Sequence, residues 1–464
     1  MTKLAHALVL GIAATLAAGA ATAFACTKHG LASPEQHATA VPTSLDLLFA
    51  PPPKVAGLRL LANLNPPGGP HGDVWGHRGF AYLSSWHGDD CAGSGVRVID
   101  LARPSRPQHV ATFADAAREP EIRGTWTEKT IVREARTASF RGTIAVTSLQ
   151  HCDERAFRGF GLYDLTDPRS PKRLSLVRTE GVRGSHEIWL ENARGRVWVY
   201  TAIVRSELLS SPDYDPKARN AQTPGLADFR IFDVTDPRRP VEVGSWGSWK
   251  ELGIHPNDGR GVYPANLVHS VITDDAAKRA YLSHWDLGTV ILDISNPARP
   301  RFLGRTRLPA SEPQGDAHSS ALARNGRLLI ETHETFLGRP TFFDITNPRQ
   351  PKRLGTLRLP DADRAPRPHK PYYAHGVHDP KVIGNRAFFS WYRHGIVVAD
   401  ISRPAAPRVV ARFRPPGTAD PTGDTCGSEA GVCAFVWGVF ATKDYVLASD
   451  MNSGLWVLRL TTTK

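Results

Sequence analysis

The stretch DISNPARPRFLGRTRL, from Asp293 to Leu308, decides the fold because its first half recurs along the chain. Each copy follows an apolar run and consists of an aspartate, a short polar segment and two prolines. The other copies begin at Asp100, Asp164, Asp233, Asp344 and Asp400. Such repetition is typical of one structural unit that is built several times.

One repeat unit divides into four short apolar segments separated by turn residues. Around His269 these segments are LVHSVI, AYLSHW, TVILDI and FLGRTRL, which are rich in β-branched and aromatic residues. In the turn, Ser295 and Asn296 can hydrogen-bond nearby backbone groups, and the two prolines stop the third strand. Each unit is therefore predicted to form a four-stranded antiparallel sheet.

The chain contains seven such units. The six aspartate phrases end the third strands of six units, and the seventh unit, from Phe435 to Leu460, has three strands but no fourth. The segment PKVAGLRLLANL from Pro53 is similar to the fourth strand PKRLGTLRLPDA from Pro351. The sequence thus predicts an all-β fold, a seven-bladed β-propeller of four-stranded antiparallel blades, closed by an N-terminal strand that completes the last blade.

The strand-and-turn phrases also resemble a known family. VILDISNPARP, FRIFDVTDPRRP and TFFDITNPRQP are similar to LVIVD repeats, a bacterial and archaeal propeller family often found in exported proteins. The resemblance covers residues 53 to 460 and implies the scaffold, but it carries no catalytic motif to any residue. Selenium-binding proteins and methanethiol oxidases are propellers too, but their cysteine and histidine motifs are not visible here, so that comparison is architectural only.

The first 25 residues predict a signal peptide. Lys3 supplies the positive start, ALVLGIAATLAAGA the apolar stretch, and AFA, ending at Ala25, the cleavage site. Residues 26–52 then form an N-terminal segment ahead of the propeller at 53–464, and no later segment has the length of a membrane-spanning helix. We expect an exported protein, periplasmic or extracellular, that is either secreted or anchored through a lipid on Cys26.

The five cysteines fit an oxidising compartment. Cys91 and Cys152 occupy matching places in consecutive units, which predicts a disulfide between adjacent blades. Cys426 and Cys433 are predicted to close a short loop, which leaves Cys26 over. Without a close C-x-x-C pair, zinc ligation by cysteines is disfavoured.

The net charge of +12 has two interpretations. Much of it comes from arginines in the repeated turns, such as Arg169, Arg301 and Arg403, which lie at the ends of third strands. These arginines form either a solvated surface or a docking face for an anionic surface. An exported chain without a basic run is not expected to bind nucleic acid.

Histidines gather at the other end of the predicted blades. In an antiparallel blade, the start of the first strand and the end of the second strand lie at the same rim. Eleven histidines fall at these places: His71, His186, His269, His318, His375 and His378 at first strands, and His87, His151, His284, His333 and His394 at second strands. Because first strands line the central channel of a propeller, we expect a funnel rich in imidazoles and carboxylates.

Neutral imidazole is a ligand for copper, zinc and iron, so the funnel predicts a transition-metal site. The predicted ligands are His186, His269, His318 and His378, with His284 and His333 as a second layer. The structural alternative is that each histidine bonds the backbone of the next blade and helps blades to dock. Ser319 follows His318, but neighbours on a strand point to opposite faces, so a Ser–His pair is not expected.

Two functions therefore remain open. The first is a metal-binding propeller that uses metal-activated water or redox chemistry on a small molecule or envelope component at the histidine-rich face. The second is a non-catalytic scaffold that binds a protein or an anionic polymer. No catalytic residue is assigned, and whether the protein is an enzyme is left open.

Overall fold

The computed structural model describes residues 57–86, 91, 94–152, 155–179, 184–203, 227–254, 259, 261, 266–309, 316–335, 338–365, 374–419, 426 and 432–461. The predicted signal peptide, the segment 26–52, Cys26 and His87 lie outside these residues. The boundaries predicted for the propeller, 53 and 464, fall just beyond the first and last described positions.

The described residues form short strands in a regular order. In chain order they are β1 (Leu58–Leu64), β2 (His71–His77), β3 (Phe80–Ser85), β4 (Val96–Asp100), β5 (Gln108–Phe113), β6 (Thr125–Trp126), β7 (Thr130–Arg136), β8 (Arg141–His151), β9 (Gly159–Asp164), β10 (Lys172–Arg178), β11 (Glu187–Ala193), β12 (Arg196–Ala202), β13 (Phe229–Asp233), β14 (Val241–Trp246), β15 (Ser270–Thr273), β16 (Arg279–Ser283), β17 (Thr289–Asp293), β18 (Arg301–Arg305), β19 (Ala317–Ala323), β20 (Leu328–His333), β21 (Thr341–Asp344), β22 (Lys352–Thr356), β23 (Pro380–Ile383), β24 (Arg386–Ser390), β25 (Ile396–Asp400), β26 (Arg408–Phe413), β27 (Thr418–Ala419), β28 (Val432–Cys433), β29 (Val436–Ala441), β30 (Val446–Asp450) and β31 (Gly454–Leu460). Two short helices, α1 (Ser248–Leu252) and α2 (Pro360–Arg364), and a 3-10 turn at Pro120–Ile122 complete the regular elements.

Seven antiparallel sheets form the blades. In order they are β2–β5, β7–β10, β11–β14, β15–β18, β19–β22, β23–β26, and a seventh made of β29, β30, β31 and β1. The first strands β2, β7, β11, β15, β19, β23 and β29 each contact the next, and β29 contacts β2, which closes the ring. The predicted seven-bladed β-propeller is therefore confirmed.

The ring is closed by the N-terminal strand, as predicted. β1 pairs antiparallel with β31, and Leu58 lies opposite Leu460 while Leu64 lies opposite Leu455. The seventh blade therefore obtains its outermost strand from the other end of the described chain. This pairing satisfies the edge that β31 would otherwise expose at the seam of the ring.

The repeated phrase folds into a hydrogen-bonded turn. Asp293 Oδ1 accepts the backbone N–H of Ser295 at 2.9 Å, and Asn296 Oδ1 accepts that of Ala298 at 3.1 Å. The copy at Asp164 repeats the first bond, to the N–H of Thr166. The predicted role of Asn296 is confirmed, and the aspartate that opens the phrase adds a second side-chain acceptor that ends the third strand.

The same turn also docks neighbouring blades. Each fourth strand carries a β-bulge opposite the third strand, and Gly244, Gly304 and Gly355 lie at the bulge in three blades. A Cβ on Gly355 would lie 2.7 Å from the carbonyl oxygen of Ala405, in the turn of the next blade, and Gly304 approaches Pro348 O in the same way. The repeated phrase therefore recurs because each copy packs on the blade before it.

Both predicted cysteine pairs lie at disulfide-bonding distance. Cys91 joins Cys152, with a Cα–Cα distance of 6.0 Å, and so links the first blade to the second. Cys426 joins Cys433, with a Cα–Cα distance of 5.5 Å. Neither helix of the described residues has the length and hydropathy of a membrane-spanning segment.

Candidate metal centre

Two consecutive residues of each blade, directly before or within its first strand, occupy equivalent positions at the axis. The first of the two positions, here called the histidine layer, consists of Gly72, Glu128, His186, His269, His318, His378 and Trp437. The second, here called the lysine layer, consists of Asp73, Lys129, Glu187, Ser270, Ser319, Asp379 and Gly438. The chemistry of the propeller axis is therefore set by seven residue pairs.

The four histidines of the histidine layer meet side by side. Their ring centroids are separated by 4.3 Å from His186 to His269, 3.9 Å from His269 to His318, and 4.4 Å from His318 to His378. All four are at most 3% exposed. The imidazoles of four consecutive blades, predicted to converge, thus form one contiguous arc.

One nitrogen of each of three rings faces a hydrogen-bond acceptor. His269 Nδ1 lies 3.2 Å from the carbonyl oxygen of His318, and His318 Nδ1 lies 2.9 Å from that of His378. His186 Nδ1 lies 2.9 Å from Gln150 Oε1 and 3.0 Å from Glu128 Oε2. Since these partners only accept, they hold a proton on Nδ1 of each ring, and a neutral ring then has its lone pair on Nε2.

These Nδ1 contacts agree with the structural alternative for the histidines, because two of them bond the backbone of the next blade. The same contacts leave the Nε2 lone pairs directed elsewhere. His186 Nε2 lies 2.8 Å from His269 Nε2, at hydrogen-bonding distance. His318 Nε2 is buried and has no hydrogen-bond partner among the described residues. A cation would satisfy this nitrogen of His318.

A carboxylate completes this group. One ligand atom each of His269, His318 and Glu334 lies within 4.8 Å of the other two. Glu334 Oε1 accepts the hydroxyl of Tyr392, while Oε2 lies 3.5 Å from His318 Nε2 and has no hydrogen-bond partner in the described part of the chain. Metal ligands are typically held in this way, with the second nitrogen or oxygen fixed by a protein partner.

Burial disfavours the charged forms of these groups. It lowers the pKa of His269 and of His318 well below 6.5, and the neighbouring His318 and His378 rings lower them further. Burial likewise raises the pKa of Glu334 well above 4.5. Neutral imidazoles are the form that coordinates a metal.

The sequence predicts that the histidines line an open funnel, and this prediction is wrong, because the histidines are buried. Aromatic side chains pack around the four histidines and are themselves buried: Trp86, Trp126, Trp285, Tyr392, Phe435 and Trp437. The ring centroids of Trp437 and His378 lie 4.3 Å apart, as do those of Trp86 and Trp437, and both ring pairs are tilted. This aromatic layer replaces the expected funnel with an enclosed site. It is not predictable from histidine positions, because its members come from loops and from the seventh blade.

The other predicted ligands have separate surroundings. His378 contributes its carbonyl to His318, and neither ring nitrogen has a hydrogen-bond partner among the residues described. His284 packs against Trp246 and lies 3.6 Å from Asp228 Oδ2. His333 lies 3.2 Å from Glu331. His284 and His333 therefore remain predictions as second-layer groups.

The expectation that Ser319 and His318 point to opposite faces of the strand is wrong. Ser319 Oγ lies 2.9 Å from His318 Nδ1, although the two residues are neighbours in sequence. The pairing of β19 with β20 shifts between Ala317 and Ser319, and this bulge removes the strict alternation of faces. Because His318 Nδ1 also bonds the His378 carbonyl, the serine is held by the ring and is not activated by it.

Sequence reasoning missed the second blade's contribution. Glu128 and Gln150 orient His186, and Lys129 occupies the lysine layer. Lys129 Nζ contacts Asp73, lies 3.0 Å from Asp379 Oδ2 and lies 3.2 Å from Glu187 Oε2. Aligning TEKTIVREA with SHEIWLENA would have found them, since Glu128 and Lys129 align with His186 and Glu187.

The lysine layer is electrostatically coupled. Burial opposes the charge of Lys129, but Asp379 and Asp73 outweigh it, so the pKa of Lys129 is raised well above 10.5. Burial raises the pKa of Glu187 to about 8. For Asp379, Lys129 and Lys381 outweigh burial, and its pKa is lowered.

These features define a class: a seven-bladed β-propeller with buried imidazoles and carboxyls at its axis. Residues 278–307, in the fourth blade, match the family model described as the LVIVD repeat. No curated protein sequence matches the chain.

Two solved structures are similar to this chain, and the likeness to the first of them concerns the fold alone. Raptor of Chaetomium thermophilum is 12% identical, with a TM-score of 0.53, and the match covers 90% of this chain and 30% of the Raptor chain. The computationally designed Ika8 protein is 8% identical, with a TM-score of 0.47, and the match covers 86% of this chain and 99% of Ika8.

Proposed function

We propose that the protein binds a divalent transition metal ion at the propeller axis. His269, His318 and Glu334 are the ligands, and His186 is placed to supply a fourth donor. The carrying observation is that His318 Nε2 and Glu334 Oε2 lie 3.5 Å apart, fully buried, without a hydrogen-bond partner among the described residues. Leaving such atoms unsatisfied costs about 1–3 kcal/mol each, which a bound ion would recover.

The donor set favours zinc or ferrous iron over copper. Two imidazoles and one carboxylate are the ligands of catalytic zinc sites and of non-haem iron sites. In both, the second nitrogen of each histidine is fixed by a hydrogen bond, as the carbonyls of His318 and His378 do here.

Metal binding, rather than catalysis, is the function that these contacts support. The ligands come from the fourth and fifth blades, and His186 from the third, so an ion would join these blades at the axis in addition to their hydrogen bonds. Export remains part of the proposal, and the two cysteine pairs at disulfide-bonding distance support it.

The test is elemental analysis of the full-length chain purified from the compartment to which it is delivered. We expect close to one ion per chain, and we expect chelator-treated protein to take up Zn(II), or Co(II) as a spectroscopic probe. The His269→Ala/His318→Ala double variant should lose the ion. Glu334→Gln, which keeps the side-chain volume, should bind it at least tenfold more weakly.

The control is His77→Ala. His77, in the first blade, pairs with Glu134 of the second blade and lies outside the histidine layer. Circular dichroism establishes whether each variant keeps the β-sheet content of the parent chain. If the folded double variant retains the metal content of the parent, the axis is not the binding site.

A groove on the face formed by the repeated turns favours a second candidate function, that of a non-catalytic scaffold that binds an anionic polymer. It has a volume of about 690 Å³ between the fifth and sixth blades and is lined by Arg324, Arg327 and Arg403. Dextran sulfate should bind, and neutral dextran should not. Binding of dextran sulfate should weaken with added salt and in the Arg327→Ala/Arg403→Ala variant. Arg59→Ala, on exposed β1, is the control. Equal binding of dextran sulfate by the parent chain, the double variant and the control would contradict the role of the groove.

A further inference from the structure

A cavity of about 250 Å³ lies on the axis beyond the lysine layer, on the side away from the histidine layer. First strands of the second to sixth blades line it. Lys129, Glu187 and Asp379 belong to its lining, as do Thr273 and Trp189 further along the strands. The cavity is separate from the proposed metal site, because the lysine layer lies between them.

The acidic side chains at the inner end of this cavity outnumber the amines. Asp73, Glu187 and Asp379 surround Lys129. Lys381, whose ammonium contacts Asp379, is the second amine. One of the three acids therefore has no amine of its own, and a buried carboxylate without a cation is costly. An ammonium ligand on Glu187 would stabilise the carboxylate, and the proton of that acid would pass to solvent.

Two buried polar atoms in the cavity lining lack a partner. Glu187 is 3% exposed, and its Oε2 contacts Lys129 while its Oε1 has no hydrogen-bond partner among the described residues. Thr273 is 5% exposed, and its Oγ1 also lacks a partner in that part of the chain. Both oxygens can accept a hydrogen bond from a ligand.

We propose that this cavity binds a small primary ammonium compound, with the ammonium group on Glu187 Oε1. The ammonium supplies the amine that the third acid lacks and a hydrogen-bond donor for its unpartnered oxygen. Thr273 Oγ1 meets a second polar group of the ligand, such as a hydroxyl. The protein already pairs amines with these acids through Lys129 and Lys381, so the ligand repeats a contact that the site makes twice.

The size and walls of the cavity restrict the ligand. Its volume corresponds to about eight water molecules at roughly 30 Å³ each. Ile272, Leu322 and Val382 provide apolar wall, which suits a short carbon chain between the polar groups. Ethanolamine, which has an ammonium and a hydroxyl on two carbons, is therefore the probe, and 1,2-ethanediol is its uncharged control of equal size.

The experiment is calorimetric titration of chelator-treated full-length protein, so that the amine cannot coordinate a metal. Ethanolamine should bind saturably, and 1,2-ethanediol at least tenfold more weakly. Glu187→Gln should weaken ethanolamine binding at least tenfold. Thr273→Val, a near-isosteric change, should weaken it severalfold and leave Zn(II) uptake unchanged. Glu251→Gln, in the exposed helix α1, is the control for loss of a carboxylate.

Equal binding of the diol, no saturable ethanolamine binding by the folded parent chain, or undiminished binding by Glu187→Gln would each overturn the proposal. If Glu187→Gln does not fold, Thr273→Val alone decides, and unchanged affinity for ethanolamine rejects the site. Zn(II) uptake by the same proteins is measured separately, so failure of the amine site and failure of the metal site are distinguishable.

Discussion

Tyr392 donates its hydroxyl to Glu334 Oε1 and thereby directs Oε2 of the same carboxyl toward His318 Nε2. Tyr392 belongs to the sixth blade, and Glu334 follows β20, the second strand of the fifth blade, so the bond also crosses a blade boundary. If the axis holds a metal, Tyr392 is a positioning residue for its carboxylate ligand.

The first prediction follows from that bond. Tyr392→Phe keeps the ring within the aromatic layer but removes the donor, and loss of such a supporting hydrogen bond lowers metal affinity about 10- to 100-fold. Competition titration of Zn(II) against a chelator measures the change. Tyr445→Phe, in the hairpin of the seventh blade, should leave the affinity as it is. Identical affinities for parent and Tyr392→Phe would remove Tyr392 from the site.

The second prediction concerns the docking of blades. Gly304→Ala places a methyl group against Pro348 O of the next blade, and overpacking of this kind costs about 1–3 kcal/mol in the free energy of unfolding. Ala111 occupies the same bulge position in the first blade. The control Ala111→Gly should cost less than about 1 kcal/mol. Denaturant unfolding of both variants compares them, and equal midpoints would show that the bulge has room for a side chain.

The third prediction is a pH dependence. Burial, with Arg305 adding to it, lowers the pKa of His284 to about 3, and Asp228 and Trp246 are its other neighbours. Below about pH 6.5 the unfolded chain takes up a proton on His284 that the folded chain does not. Stability is therefore lost as the pH falls from 6.5 toward 3, at about 1.4 kcal/mol per pH unit for this group.

His284→Gln should remove that contribution. The free energy of unfolding, measured by denaturant titration at several pH values between 6.5 and 4, should fall less steeply for the variant than for the parent chain. Parallel slopes would mean that His284 is protonated in the folded protein.

The fourth prediction compares the two cysteine pairs. Cys91 and Cys152 are separated by 61 residues and Cys426 and Cys433 by 7. Loop-closure entropy then gives about 4 kcal/mol for the first crosslink and about 2 kcal/mol for the second. The paired alanine variants Cys91→Ala/Cys152→Ala and Cys426→Ala/Cys433→Ala should lose stability in that order under oxidising conditions. The reverse order would show that strain or residual structure outweighs loop length.

The architecture was predictable because it is repeated. The six aspartate phrases count the blades, and the likeness of the segment from Pro53 to the one from Pro351 locates the strand that closes the ring. Each element is local, and strand patterns and turn residues specify it without knowledge of distant contacts. The same reasoning placed both cysteine pairs.

The site was only partly predictable. Histidines at equivalent strand positions predict convergence at the axis, and His269 and His318 do meet there. Their burial under Trp86 and Trp437 depends on loops that carry no repeat signal. The exception at Ser319 has a similar cause, since a one-residue bulge changes which face a side chain occupies.

The histidine layer draws one residue from each blade, and Glu128 and His378, its acidic and its last imidazole members, are 250 positions apart in the chain. No fragment of one or two blades can reproduce it. A nascent chain would acquire the proposed centre only after its fifth blade had settled beside the fourth. Binding of the ion would then be a late step in the folding of the chain, and an ion retained through purification would indicate that the blades have assembled correctly.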